Sequence, residues 1–193
     1  MQFKIDANDV LIIVDVQRDF CPGGALPVPD GDKVVPILNE YIKRFKEART
    51  QIYATRDWHP SNHISFQAYG GIWPAHCIQN SEGAAFHPDL TLPDEVKIVS
   101  KATDSSKEAY SGFDPPQLKD KLERTGIKRI FIGGLATDYC VKSTVLDALE
   151  LGFETILLTD AIQGVNVNPG DSEKAIEEMI SKGAITATLT DLQ

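Results

Sequence analysis

The sequence predicts an α/β protein in which a parallel sheet is covered by helices on both faces. Two observations carry this. Five or six short runs are almost continuously apolar, as strands are when both of their faces are buried. These runs alternate with segments of helical periodicity, which parallel strands need for their crossovers.

The elements follow in order. Val10-Leu-Ile-Ile-Val14 reads as a buried first strand, then a Gly/Pro-rich loop and an amphipathic helix over 33–48. Gln51-Ile-Tyr-Ala-Thr55 is the second strand. Residues 57–94 are irregular and hold Trp58, Trp73, four Pro and all four His. So long a loop inside a folded domain suggests that it carries function. Val96-Lys-Ile-Val99 is a third strand, followed by a helix over 116–125. A strand at 129–133 leads through Gly133-Gly134 to a helix from 138 to about 151. Phe153-Glu-Thr-Ile-Leu-Leu158, a helix over 172–182 and Ala184-Ile-Thr-Ala-Thr188 complete the pattern.

The chain has 193 residues, enough for one domain (1–193) with a core that needs no staples. No apolar run reaches membrane-spanning length, and the first residues lack a signal-peptide core. A formal net charge of −9 disfavours nucleic acid or an anionic membrane as partner. Cys21, Cys77 and Cys140 are odd in number and widely spaced, which suits a reducing cytoplasm rather than a disulfide framework. A small-molecule partner is expected, with homo-oligomerisation left open.

In open α/β sheets, ligands bind beyond the carboxyl ends of the strands. The residues there are Asp15, Arg56-Asp57, Ser100-Lys101 and, past the fourth strand, Cys140. Thr137 is a good N-cap and places Cys140 in the first helical turn, where the dipole should lower the thiol pKa. Asp15 is a candidate general base, its pKa raised by burial and pulled back by Lys101. Lys101 is a candidate cation for the thiolate. The competing reading is a structural Asp15–Lys101 ion pair with Cys140 merely packed.

Asp57-Trp-His59 and His76 supply one carboxylate and two imidazoles, a set that suits Zn²⁺ first, with Fe²⁺ or Mn²⁺ as alternatives. His63 could add a fourth ligand or support from behind. The alternative for these loop histidines is simple solvation. His87 reads as structural. Cys21 and Cys77 read as packing residues, Cys77 because neighbouring side chains diverge in extended chain. Among Phe20, Trp58, Trp73 and Tyr110, Phe20 and Trp73 are the better candidates to sandwich a flat ligand.

Four segments, Ile12-Ile-Val-Asp-Val-Gln-Arg-Asp-Phe-Cys-Pro-Gly-Gly-Ala-Leu, Ala54-Thr-Arg-Asp-Trp-His-Pro, Trp73-Pro-Ala-His-Cys and Gly134-Leu-Ala-Thr-Asp-Tyr-Cys-Val, together resemble the nicotinamidases. These belong to the isochorismatase-like cysteine hydrolases. The resemblance extends over nearly the whole chain. It implies a three-layer α/β/α fold with a six-stranded parallel sheet, and conversion of nicotinamide to nicotinate and ammonia, with pyrazinamide as a second substrate. It also implies that Asp15, Lys101 and Cys140 form a catalytic triad, with Asp57, His59 and His76 as metal ligands. Further, it implies a cis peptide at Leu135–Ala136, an oxyanion hole from the N–H groups of Ala136 and Cys140, and ring packing by Phe20 and Trp73. The runner-up is an amidase for a ureido or carbamoyl substrate. A metal-hydroxide hydrolase with a structural Cys140, and a non-enzymatic binding module, are the readings from other classes.

Overall fold

The computed structural model describes residues 2–193, whose strands form one six-stranded sheet. The strands are β1 (Asp9–Val14), β2 (Gln51–Asp57), β3 (Lys97–Lys101), β4 (Arg129–Leu135), β5 (Glu154–Gln163) and β6 (Ile185–Ala187). Every pairing is parallel, in the order β3-β2-β1-β4-β5-β6. The α-helices are α1 (Val34–Glu47), α2 (Gln117–Arg124), α3 (Lys142–Glu150) and α4 (Asp171–Ser181).

The layers follow from the two-residue alternation of a strand. Along β1, Leu11 and Ile13 share a core with Leu38, Tyr41 and Phe45 of α1. Val10, Ile12 and Val14 share the opposite core with Leu118 and Leu122 of α2, Val145 of α3 and Met179 of α4. Both faces of β1 are therefore buried, which is why its sequence is apolar without alternation.

The chain steps outward from β1 to β3, returns to the other side of β1 as β4, and steps outward again to β6. Connections leave β1 and β4 in opposite directions, which opens a crevice at their carboxyl ends. Residue 15 follows one of these strands, and residue 140 lies five residues beyond the other.

Three local features depart from the sequence reading. The segment after β4 begins as a π-helical turn, Thr137–Val141, and only then becomes α3. The Val141 N–H donates to the Ala136 carbonyl at 3.1 Å, so Ala136, in extended backbone, precedes the turn and Thr137 is its first residue rather than its cap. Secondly, β5 runs five residues beyond Leu158. The polar pair Thr159-Asp160 hides this continuation; Asp160 is satisfied by the Tyr41 hydroxyl and the Leu189 N–H, each at 2.8 Å. Thirdly, Gly133 and Gly134 lie within β4, at a register shift against β5, rather than between strand and helix.

Gly134 has φ +123°, and a Cβ there would stand 2.1 Å from the Val14 carbonyl oxygen. Only glycine lets β4 approach β1 this closely at the crevice. Gly152 also has positive φ, +85°, but faces open space. Gly134→Ala should therefore destabilise by about 3 kcal/mol or more, strain plus overlap, and Gly152→Ala by about 1–2 kcal/mol from strain alone. Urea midpoints of the two variants check this; equal losses would refute the close approach.

Candidate active site

Strands β3, β2, β1 and β4 are adjacent, and each contributes one polar group at its carboxyl end. Lys101 is the last residue of β3, in register with Asp57, the last of β2. Neighbouring strands lie about 4.8 Å apart, so a cation rooted on β3 must cross β2 to reach β1 and β4. The long stem of Lys101 does this. Its Nζ donates to Asp57 Oδ1, lies 2.8 Å from Asp15 Oδ2, and approaches Cys140 Sγ at 3.3 Å. Asp15, Lys101 and Cys140, picked out separately in the sequence, thus meet at one ammonium. Asp57 joins them as well, which the sequence reading, placing it with the histidines alone, did not anticipate.

Asp15 occupies left-handed backbone at φ +49° immediately after β1, so its side chain turns back over the strand ends. Its Oδ1 accepts a hydrogen bond from the Thr55 hydroxyl at 2.7 Å. Burial raises the Asp15 pKa above the ordinary carboxylate value; Lys101 opposes this and Asp57 adds to it. Burial works against the Lys101 ammonium, yet Asp15, Asp57 and Cys140 raise its pKa well above that of a free lysine. It is the fixed positive charge of the cluster.

The Cys140 thiol departs from expectation. Its pKa is pushed well up, because burial outweighs the stabilisation from Lys101, and the nearby Asp15 and Asp57 add to the rise. A helix start lowers a thiol pKa only where the thiolate remains hydrated or well paired. Burial thus disfavours the thiolate here, and Asp15 lies beside the thiol as an acceptor for its proton.

The long loop after β2 supplies the second donor set. Ligand atoms of Asp57, His59 and His76 lie within 4.8 Å of one another, all three residues buried. His59 Nδ1 is 3.1 Å from the His76 carbonyl oxygen, and His76 Nδ1 is 2.8 Å from that of Pro74. Donation through Nδ1 leaves Nε2 as the lone-pair atom of each ring. Burial, with His76 and His63 beside it, lowers the His59 pKa to about 3, so this imidazole stays neutral, the ligating form. One carboxylate and two imidazoles, each with Nε2 free of the backbone contact made by Nδ1, fit a divalent transition metal such as zinc.

His63 uses both nitrogens elsewhere, Nδ1 with the Ser65 hydroxyl at 2.7 Å and Nε2 with the Lys107 carbonyl at 2.9 Å. In this arrangement its ring lies beside that of His59, tilted by 54° with centroids 4.4 Å apart. His87 Nδ1 accepts the Asp89 N–H at 3.2 Å, a structural contact. Cys21 and Cys77 are buried. Cys77, however, has left-handed backbone at φ +46° rather than extended chain.

Phe20 and Trp73 both line the pocket that ends at Cys140, as do Ala136 and His76. The Leu135–Ala136 peptide is cis. Tyr110 belongs to the same wall, its hydroxyl accepting the Trp73 indole N–H at 3.1 Å. Trp58 stands apart, its ring covered by the Arg56 guanidinium at 3.6 Å. Tyr139, also in the wall, went unnoticed in the sequence because its neighbour Cys140 dominates that motif.

Two supporting residues were also missed. The Gln17 amide accepts from the Asp57 N–H and donates to the Asp57 carbonyl, both at 2.8 Å, and donates to the Ala84 carbonyl at 2.9 Å. Asp19 Oδ2 accepts the Cys77 N–H at 2.7 Å, pinning the chain next to His76. The available signal was the amide and acid just beyond a wholly apolar strand.

Removing Lys101 should expose the cost of this cluster. Lys101→Met leaves two buried carboxylates without their cation and should destabilise the metal-free protein by about 3–5 kcal/mol at neutral pH. The raised Asp15 pKa should rise further in the variant, so the deficit shrinks as pH falls and Asp15 protonates. Urea unfolding at pH 7.5 and 5 tests this; a deficit independent of pH would contradict the charge assignment.

The Isochorismatase domain matches residues 9–191. An Escherichia coli nicotinamidase is 41% identical, over 94% of this chain and 95% of its own. A pyrazinamidase of Pyrococcus horikoshii, solved in complex with zinc, superposes with a TM-score of 0.91 at 54% identity, covering 94% of this chain and 99% of that one. PnC1 from L. infantum, solved in complex with nicotinate, has a TM-score of 0.92 at 32% identity, over 100% of this chain and 99% of that one. With a family match across nearly its whole length and a shared sheet architecture, the chain belongs to the isochorismatase family.

Proposed function

We propose that the protein is a nicotinamidase, hydrolysing nicotinamide to nicotinate and ammonia, and that it deamidates pyrazinamide as well. The observation that carries the reading is the Lys101 ammonium, 2.8 Å from Asp15 and 3.3 Å from Cys140, at the end of an aromatic pocket that also meets Asp57 and His76. The nicotinamidase and pyrazinamidase relatives support the choice of substrate.

Phe20 and Trp73 pack on the ring and present the carboxamide to Cys140. Asp57, His59 and His76 would hold the divalent cation, most simply Zn²⁺, which when bound supplies a Lewis acid for the ring nitrogen. Asp15 accepts the thiol proton as Sγ attacks the amide carbon, and Lys101 compensates the negative charge that passes through the cluster. The N–H groups of Ala136 and Cys140 hold the oxyanion, a device worth about 3 kcal/mol per donor in other enzymes. Asp15 then returns its proton to the departing ammonia, leaving a thioester on Cys140. A water molecule, deprotonated by Asp15, attacks the thioester and releases nicotinate, and the proton passes back to the thiolate. Three cysteines without a disulfide suit a reducing cytoplasm for this thiol chemistry.

The same triad could serve a ureido or carbamoyl amidase. The buried Asp57–His59–His76 donors favour the ring substrate, because a linear urea has no ring nitrogen for a metal to grip.

Ammonia release from nicotinamide by metal-replete protein tests the reading. Cys140→Ala should abolish turnover with metal content and fold intact, whereas retained activity would eliminate the thioester route. Chelation should remove most activity, and added Zn²⁺ should restore it. The kcat/KM profile should have an acid limb above the ordinary aspartate range. The raised Asp15 pKa sets its position, since the base form is lost as pH falls through it. An acid limb at an unperturbed carboxylate value would remove Asp15 from the role.

A further inference from the structure

We propose that Asp138 is a positioning residue that latches the segment 164–170 to the Cys140 turn and thereby fixes the wall of the ring pocket; this rests on the nicotinamidase reading above. The segment joins the end of β5 to the start of α4, and Val165 on it lines the pocket. Asp138 lies two residues before Cys140 in the π-helical turn. Its Oδ1 accepts the Val165 N–H at 2.9 Å and its Oδ2 the Asn166 N–H at 2.7 Å.

The far side of the segment is tied as tightly. Asn166 adopts φ +52°, and its side-chain oxygen accepts the Ser172 N–H at 2.9 Å in the first turn of α4. A Cβ on Gly164 would stand 1.8 Å from Ser172 Oγ and 3.2 Å from Asp138 Oδ1, so segment, helix and carboxylate are in close contact. By contrast, Val167 is 61% exposed.

The chemistry selects a carboxylate. Two successive N–H groups need two acceptor oxygens, and asparagine offers one oxygen with a donor in place of the other. Among the described residues no Lys or Arg forms an ion pair with Asp138, so the latch is its role rather than a salt bridge. The same turn carries the nucleophile, so the latch sets Val165 relative to Cys140 and defines the room a ring has beside the thiol. Asp138 touches no reacting atom in this scheme.

Asp138→Asn is the direct test, with nicotinamide and a ring-alkylated nicotinamide as paired substrates. The KM for nicotinamide should rise roughly tenfold with kcat within about threefold, the loss expected for one charge-assisted hydrogen bond. The alkylated ring should lose less, shifting the kcat/KM ratio towards it, and the Val165 and Asn166 amides should exchange with deuterium faster. A purely structural role would lower the melting temperature without moving that ratio. Unchanged KM and ratio in a folded variant overturn the proposal, as does a KM change with both amides still protected. Should Asp138→Asn fail to fold, Val165→Ala enlarges the same wall with the latch intact and must shift the ratio in the same direction; no shift overturns the proposal. Wild-type protein that releases no ammonia would overturn the nicotinamidase reading and the specificity claim with it, while the exchange measurement still decides the latch.

Discussion

One buried ammonium organises this structure. Lys101 Nζ reaches a carboxylate at the end of β2, another just after β1 and a thiol in the turn that follows β4, and all four groups are buried. Buried charges persist only where the partners offset lost hydration. Asp15, Asp57 and Lys101 do that for one another, with a residual negative charge when both acids are ionised. Both pKa values are raised: burial, with Asp57 adding to it, makes Asp15 easier to protonate, and the surrounding acids make Lys101 harder to discharge. The same carboxylates add to the rise in the Cys140 thiol pKa that burial sets.

The sheet topology makes such a cluster attainable. With the connection from β1 leading to one side of the sheet and that from β4 to the other, the carboxyl ends of β1 and β4 face an open crevice. Three successive strands and the turn after a fourth then bring one polar group each to the same edge, and the long cationic side chain on the outermost strand touches the rest. Gly134 lets β4 close on β1, and the left-handed turn at Asp15 folds its carboxylate back over the strand ends. The fold therefore supplies the spacing, and a few unusual backbone positions supply the aim.

Much of this was legible from the chain. The apolar runs located all six strands, most plainly the inner strand β1, buried on both faces, and strand-end logic found Asp15, Asp57, Lys101 and Cys140. The continuation of β5 was hidden by Asp160, whose polarity is answered by a tyrosine 119 residues away in sequence. Such partners are tertiary facts that local pattern does not carry. The same limit applies to Gln17, Asp19 and Asp138, whose roles are to hold backbone N–H and carbonyl groups brought together only by the fold. The thiol pKa was misjudged for a related reason: the dipole of a helix start is a local quantity, whereas burial is a global one, and here burial is larger.

Asp57 joins the two halves of the site, and this shapes how the proposed chemistry would run. Its Oδ1 receives Lys101, while its Oδ2 lies 3.9 Å from His76 Nε2, on the side of the imidazoles. A cation held there would draw charge from Asp57 and so weaken its claim on Lys101. The ammonium would then be left more fully to Asp15 and Cys140, where it favours the thiolate. Gln17 matters in the same sense, since it fixes both backbone groups of Asp57 and keeps that carboxylate facing both ways. Ring recognition and nucleophile activation would thus be coupled through one side chain, rather than being separate sites that happen to share a pocket.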